Sequence, residues 1–442
     1  MKKVDYIIAV EGDYHSHKTL LSLLQGNEKV YQYLFQQNYL RSDSGNSVAF
    51  DFVGLITFDN AVVCILPKYY KNHSFSEDII ITDFSSIIKV LKKVGHSDSI
   101  PDSKNISNNE NINLSELVFA DRFLRDYLDY GLFNKNKVSV LLNVEGEVDW
   151  AQTVSNLDPI FSNGRPIYND IYVHSVITEE FNLITELHKW TIKYCLSKFG
   201  RILDYNFLFT DDCISDISAL GSVEFILNVL RKELSITYTD REILLIRRLM
   251  SFIDNLKNDH SGNFSLFGTG YFHVIWEKAC SAVFSNKISQ FLSIIPSPHW
   301  HNFQGNYAIK DTLRPDIISI LEEDDGKFFV FDAKYYNVAY LNNPGFTVSG
   351  NPGIGDVGKQ FLYDIAFMDL QYKAKYNCFL FPKLLEDFFE VFGFVTFPIF
   401  NNSSIYNIYL SPHHVFKGFL NNKSIGQQSL NVIADKLDEI KE

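Results

Sequence analysis

The spacing of apolar positions along the chain alternates between two periods. Val4 to Val10 is an apolar run short enough for a strand, while Thr19 to Leu40 repeats its apolar residues with a helical period. Val48 to Leu66 predicts two strands around an Asp59-Asn60 turn, and Phe84 to Val94 a short amphipathic helix. Ser97 to Asn113 is rich in Ser, Asn and Asp and has little to bury, which predicts a loop. Leu114 to Phe133 predicts a helix, and Val138 to Val144 a strand or a helix end. Helical spacing then dominates, over Thr178 to Phe199, Ile217 to Leu234 and Arg241 to Leu256. The Ser261-Gly262-Asn263 cluster marks a boundary. Beyond it the order is helix, hairpin, helix, then strands over Asn377 to Phe381, Phe389 to Ile399 and Ile405 to Leu410, and a helix through His414 to Leu420. The expectation is an α/β (α+β) chain in three parts: an α+β region over 1–150, a helical bridging region over 151–262, and a mixed sheet flanked by helices over 263–442.

The hairpin carries the chemistry. Ile317 to Leu321 and Phe328 to Phe331 are apolar runs split by Glu322-Glu323-Asp324-Asp325-Gly326. Arg314-Pro315-Asp316 precedes the first run, and Asp332-Ala333-Lys334 follows the second. A turn centred on Asp324 sets Asp316 opposite Asp332, where Cβ atoms come about 4.5–5.5 Å apart. Two carboxylates at that distance repel unless something positive lies between them. A hard divalent cation such as Mg²⁺ takes one or two carboxylates and keeps several waters. Strand alternation places Lys334 on the face of Asp332, ready to offset charge developing on a phosphate. The pattern suits metal-dependent hydrolysis of a phosphodiester.

Pro315-Asp316, an apolar spacer and Asp332-Ala333-Lys334 together resemble the signature of the PD-(D/E)xK nucleases. The resemblance implies Mg²⁺, with Mn²⁺ as a substitute, held by Asp316 and Asp332. It also implies a third acidic ligand from the preceding helix, and Glu277, at the edge of the apolar stripe Phe272-Ile275-Trp276-Ala279-Cys280, matches that position. The segment Gly355 to Asp364 looks like the helix that follows the core strand in RecB-like branches, which gives Gln360 a supporting role on a DNA backbone or on water. Only two residues separate Gln360 from Tyr363, where those branches place three. Further blocks, Phe52 to Phe58, Ile65 to Lys71, Gly146 to Trp150 and Gly164 to Tyr168, are similar to the LlaJI-type restriction endonucleases, themselves similar to McrC. This implies a DNA endonuclease subunit of a restriction system acting on double-stranded DNA. It implies an McrB-like AAA+ GTPase as partner, an N-terminal region that contacts that partner, and pairing of two copies through the nuclease domain.

Charge narrows this. The formal net charge is −13, whereas phosphate neutralisation favours basic surfaces in chains that bind DNA unaided. The expectation is a cutting subunit whose DNA is held largely by a partner, with Lys89, Lys92 and Lys93, and Arg241, Arg247 and Arg248, as local basic patches. Five widely spaced cysteines without a Cys-x-x-Cys pair argue against zinc, and Cys64, Cys280 and Cys378 read as core thiols. No apolar run reaches about 18 residues and no leader is visible, so a cytoplasmic protein without a membrane span is expected. Gly12 to Thr19 mimics a phosphate-binding loop, but His17 stands where the second glycine is needed, so no nucleotide is expected there. His299-Trp300-His301 and His413-His414 lack a third ligand, with His301 the one placed to touch a phosphate. Asn342 to Gly355, rich in Gly and Pro, is expected to rim the active site. Two rival readings stay open: a catalytically silent adaptor that stimulates a GTPase, and a self-sufficient Type II enzyme.

Overall fold

The computed structural model describes residues 4–43, 45, 47–58, 61–95, 116–134, 136–178, 182–257, 264–310, 313–322, 326–341, 345–400 and 403–441. The loop expected over Ser97 to Asn113, the boundary at 261–263 and the turn residues Asp59, Asn60 and Asp324 lie outside them. The chain forms two compact units: one holds Glu116–Gly200 and Tyr205–Asn263, the other Val4–Ser115, Arg201–Asp204 and Phe264–Glu442. These two units do not coincide with the three consecutive parts expected, although Phe264 opens one stretch of the second. The N-terminal segment shares a unit with the C-terminal segment.

A shared sheet explains the difference. Strands β1 (Asp5–Val10), β2 (Val53–Thr57), β3 (Ala61–Leu66) and β4 (Ser265–Thr269) lie in the order β1-β3-β2-β4. β1 and β3 are parallel, and the other pairs antiparallel. β2 and β3 are buried at every position, which is why both read as unbroken apolar runs. Gly54 of β2 faces Gly268 of β4, and both have positive φ. A Cβ on Gly54 would meet the Phe267 carbonyl oxygen at 2.2 Å, and one on Gly268 the Val53 carbonyl oxygen at 2.2 Å. The expected single helix over Thr19 to Leu40 is two, His17–Leu23 and Glu28–Gln36. Gln25 and Gly26 turn to positive φ between them, and the Asn27 side chain accepts from Val30 N to start the second.

The other unit packs helices Glu116–Tyr130, Leu183–Leu203, Val223–Leu234 and Asp240–Lys257. It is less purely helical than expected, because Tyr172–Thr178 is the centre of a three-stranded sheet with Asn136–Leu142 and Glu147–Val148. Here Arg241 and Arg248 pair with the buried Asp126, at 3.1 and 3.9 Å. They are structural ions, not the open basic patch expected.

The C-terminal segment opens with helix α1 (Phe272–Val283) and a small ribbon, β5 (His299–His301) with β6 (Tyr307–Ile309). The hairpin β7 (Ile317–Leu321) and β8 (Lys327–Ala333) follows, then a second ribbon of β9 (Ala339–Leu341) with β10 (Thr347–Ser349), of which β10 lies inside the stretch expected as a loop. Helix α2 (Ile354–Ala366), strands β11 (Ala374–Pro382), β12 (Phe389–Thr396) and β13 (Ser404–Leu410), and helices α3 (Pro412–Leu420) and α4 (Gln427–Lys441) complete it. The sheet order is β7-β8-β11-β13-β12. The three central strands are parallel and both edges antiparallel, so it is mixed, as expected. Parallel neighbours need a long crossover, and α2 supplies the one from β8 to β11. Its Tyr363 and Phe367 pack with Phe328, Val330 and Ile318. On α1, the buried Trp276 donates from Nε1 to the Leu380 carbonyl at 3.3 Å.

Candidate active site

β7 and β8 pair Ile317 with Phe331 and Leu321 with Lys327, the register expected from the turn. Asp316 stands one residue beyond the paired stretch, beside the end of β8. Its Oδ2 accepts the backbone N–H of Ala333 at 2.9 Å. Asn286, just past α1, fixes the base of this turn. Its amide donates to the Asp316 carbonyl at 2.6 Å, and its Oδ1 accepts from Ile318 N at 3.0 Å. Asn286 was not singled out in the sequence, where a lone Asn after a helix carries no signal.

The carboxyls of Asp316 and Asp332 come close enough to hydrogen-bond. Burial, then the charge of Asp332 and its hydrogen bond, then Glu277, push the Asp316 carboxyl up to about 8. Glu277, half-buried on α1, is also raised, by burial and by Asp332, with Lys334 opposing. Strand alternation puts Asp332 on the face of β8 that carries Phe328 and Val330, the face α2 covers. Lys334 therefore meets both elements: Nζ lies 2.8 Å from Asp332 Oδ2 and 3.1 Å from Asp356 Oδ1 on the first turn of α2. Burial pulls that ammonium down, but the two carboxylates more than offset it and hold it above its ordinary value. Lys334 N–H also donates to the Leu380 carbonyl at 2.9 Å, which continues the β8–β11 pairing past the strand end.

One expectation on α2 needs correction. Gln360 is fully buried, and its Nε2 points at the carbonyls of Val330 and Cys378, both at 3.4 Å. It lies against the middle of the sheet, out of reach of a DNA backbone. Tyr363 faces the site instead. Its hydroxyl takes a backbone hydrogen bond from Arg314 and is pushed up to about 12 by burial and by the charges of Asp332 and Asp316. Asp356 was missed. Its only sequence signal was an acidic residue on the first turn of the helix after the lysine strand.

The donor set can be tested against a divalent cation. Among the described residues no three Asp, Glu, His or Cys side chains converge on one ion-sized point, so Glu277 does not close a three-ligand cage with the aspartates. Asp316 and Asp332 do face each other, and Asp316 is raised first by burial and then by the charge of Asp332. All the donors are oxygens. Such a pair fits Mg²⁺, which takes one or two carboxylates and fills its shell with water.

A mixed sheet with an Asp, Asp and Lys cluster at the end of its edge hairpin β7–β8 suits a phosphodiester-cutting enzyme. The sequence comparisons say which: residues 52–413 match the LlaJI restriction endonuclease family, and the chain belongs to it. It is 33% identical over 439 residues to the Type II restriction enzyme BsuMI component YdjA of Bacillus subtilis (strain 168), covering 98% of this chain and 93% of that one. Among solved structures it is similar to a chain of the tetradecameric assembly of Thermococcus gammatolerans McrB AAA+ hexamers with bound McrC, at 14% identity and TM-score 0.36, over 97% of this chain and 100% of that one. A second structure of the Thermococcus gammatolerans McrBC complex matches at 15% identity and TM-score 0.27, over 56% and 79%.

Proposed function

We propose that this chain is the DNA-cutting subunit of a restriction system, hydrolysing phosphodiesters of double-stranded DNA with Mg²⁺ or Mn²⁺. The observation that carries this is the facing pair Asp316 and Asp332 with Lys334 held between Asp332 and Asp356. Asp316 and Asp332 would hold the cation, with Glu277 shaping the field around it. When bound, the cation supplies Lewis acidity at the phosphate oxygens. Lys334 presents a fixed positive charge to the phosphate and is kept protonated by its two carboxylates. Asn286 and the Ala333 N–H hold Asp316 in place, and Tyr363 closes the floor below it.

An McrB-like GTPase is the partner we infer, on the sequence blocks similar to McrC. A second reading follows from the Bacillus subtilis relative, whose name makes it one component of a Type II enzyme. On that reading the missing partner is another restriction-enzyme component and no GTP is needed. Plasmid cleavage separates these readings, run with Mg²⁺, with and without GTP and the neighbouring gene products. Cleavage that depends on GTP supports the first, and cleavage without any nucleotide the second. In either case Asp332→Ala is expected to lower cutting about a hundredfold or more with its fold intact by circular dichroism. Cutting by that variant at the wild-type rate would remove the site from the mechanism.

A further inference from the structure

The β5–β6 ribbon has no part in the site described above, and its make-up is unusual. Every residue from Pro298 to Lys310 is exposed, including Trp300, Phe303, Tyr307 and Ile309. The register sets His299 opposite Ile309 and His301 opposite Tyr307, all on one face, with Trp300 on the other. The Tyr307 ring lies between the two histidines, 5.6 Å from His299 and 5.5 Å from His301, so the first face is a continuous aromatic platform. At the tip, Asn302 Oδ1 accepts from Gln304 N and Asn306 N, at 3.1 and 2.9 Å, and Phe303 stands fully in solvent.

A two-stranded ribbon alone is marginal in water, and an exposed apolar cluster on a folded protein marks an interaction surface. Charge says with what. From Lys278 to Lys310 the sequence contains no Asp or Glu, although the chain holds 53 of them in 442 residues. The charged residues in this run are Lys278, Lys287 and Lys310, and Lys287 pairs with Glu322 at 2.5 Å. Both roots of the ribbon are anchored below the site: Ile295 is buried in the cluster of Ile318, Val330 and Tyr363, and Leu313 packs against it. The second root continues directly through Arg314 and Pro315 into Asp316.

We infer that the β5–β6 ribbon is a DNA-gripping arm that inserts its aromatic residues into a groove of the duplex beside the scissile phosphate. Apolar side chains wedge between the base steps of a duplex and kink it, and aromatic rings stack on unstacked bases. This rests on the nuclease reading. It also changes one expectation: on this inference a chain of net charge −13 itself takes part in holding DNA.

The test uses the full chain and a fluorescently labelled duplex, with Ca²⁺ in place of Mg²⁺ so that binding is read without cutting. Replacing Trp300→Ala, Phe303→Ala and Tyr307→Ala together is expected to weaken duplex affinity at least tenfold by anisotropy, with the melting temperature unchanged. Phe303→Ala alone, which removes no internal contact, is expected to weaken it about threefold. Affinities within twofold of wild type for both variants would overturn the arm. So would a triple variant that keeps its DNA affinity and changes only its sedimentation, since the ribbon would then join two copies of this chain. If wild type and variants bind and cut alike, the arm fails and the nuclease reading stands. If wild type neither binds nor cuts duplex DNA under any partner condition, both fail.

Discussion

At the scale of single residues, the site is governed by unequal treatment of two similar carboxyls. Asp332 has an ammonium 2.8 Å away, whereas Asp316 has a backbone N–H and two negative neighbours. Asp316 is therefore raised to about 8, well above its ordinary value of 3.8. A carboxyl raised on folding favours the protonated native state, so its contribution is complete below the unfolded value and lost as pH rises through the folded one. Without divalent cations the protein is expected to lose stability between about pH 4 and pH 8, and Asp316→Asn to flatten that decline in urea titrations. An equal decline in the variant would assign it to other groups. Asp316, Asp332 and Lys334 were legible because period-two alternation and a short turn fix their relative placement. Asp356 and Asn286 were not, because what brings them in is the seating of α2 and the turn after α1, and neither leaves a periodic trace.

At the scale of elements, apolar runs identified the buried strands and missed the short exposed ones. β7, β8 and β11 are buried over most of their length, and the sequence marked β7 to the residue and the buried middles of β8 and β11. The ribbons β5–β6 and β9–β10 have few or no buried residues, so no hydrophobic pattern marks them. Gln360 shows a further limit. A polar residue near a helix start reads as exposed, and only the position of the sheet under α2 turns it inward. β4 was missed because its run is short and carries Gly268. That glycine is the element's essential residue, since its Cβ would collide with backbone and not with a movable side chain. Gly268→Ala is expected to destabilise the protein by about 2 kcal/mol or more in chemical denaturation. A loss below about 0.5 kcal/mol would mean that the two strands can separate at no cost.

At the scale of the whole molecule, sequence parsing into consecutive segments gave way to a unit assembled from both ends of the chain. Its polar fastening lies next to the site. Tyr335, the residue after Lys334, donates from its hydroxyl to the buried Glu11 at the end of β1 and accepts from Lys68 N at 3.0 Å. Lys68 Nζ rests over the Tyr335 ring at 4.2 Å. Burial raises the Glu11 carboxyl, and the Tyr335 hydroxyl and Lys68 oppose that. Tyr335→Phe leaves Glu11 without its hydroxyl donor and is expected to cost about 1–3 kcal/mol of stability. An unchanged urea midpoint would show that this fastening is idle. The Lys89 and Lys93 patch is likewise spent internally, on Asp204 and on the carbonyls ending α3.

The strand β4 has a consequence for how the protein is made. Ser265 meets Thr57 across a gap of 208 positions, so a ribosome adding about 5–20 residues per second exposes β2 for about 10–40 s before its partner emerges. During that interval the nascent chain carries a bare, apolar sheet edge of the kind that recruits chaperones or stray strands. The N-terminal sheet is finished only as the Asp316, Asp332 and Lys334 site itself begins to leave the exit tunnel, which ties the maturation of one to the synthesis of the other.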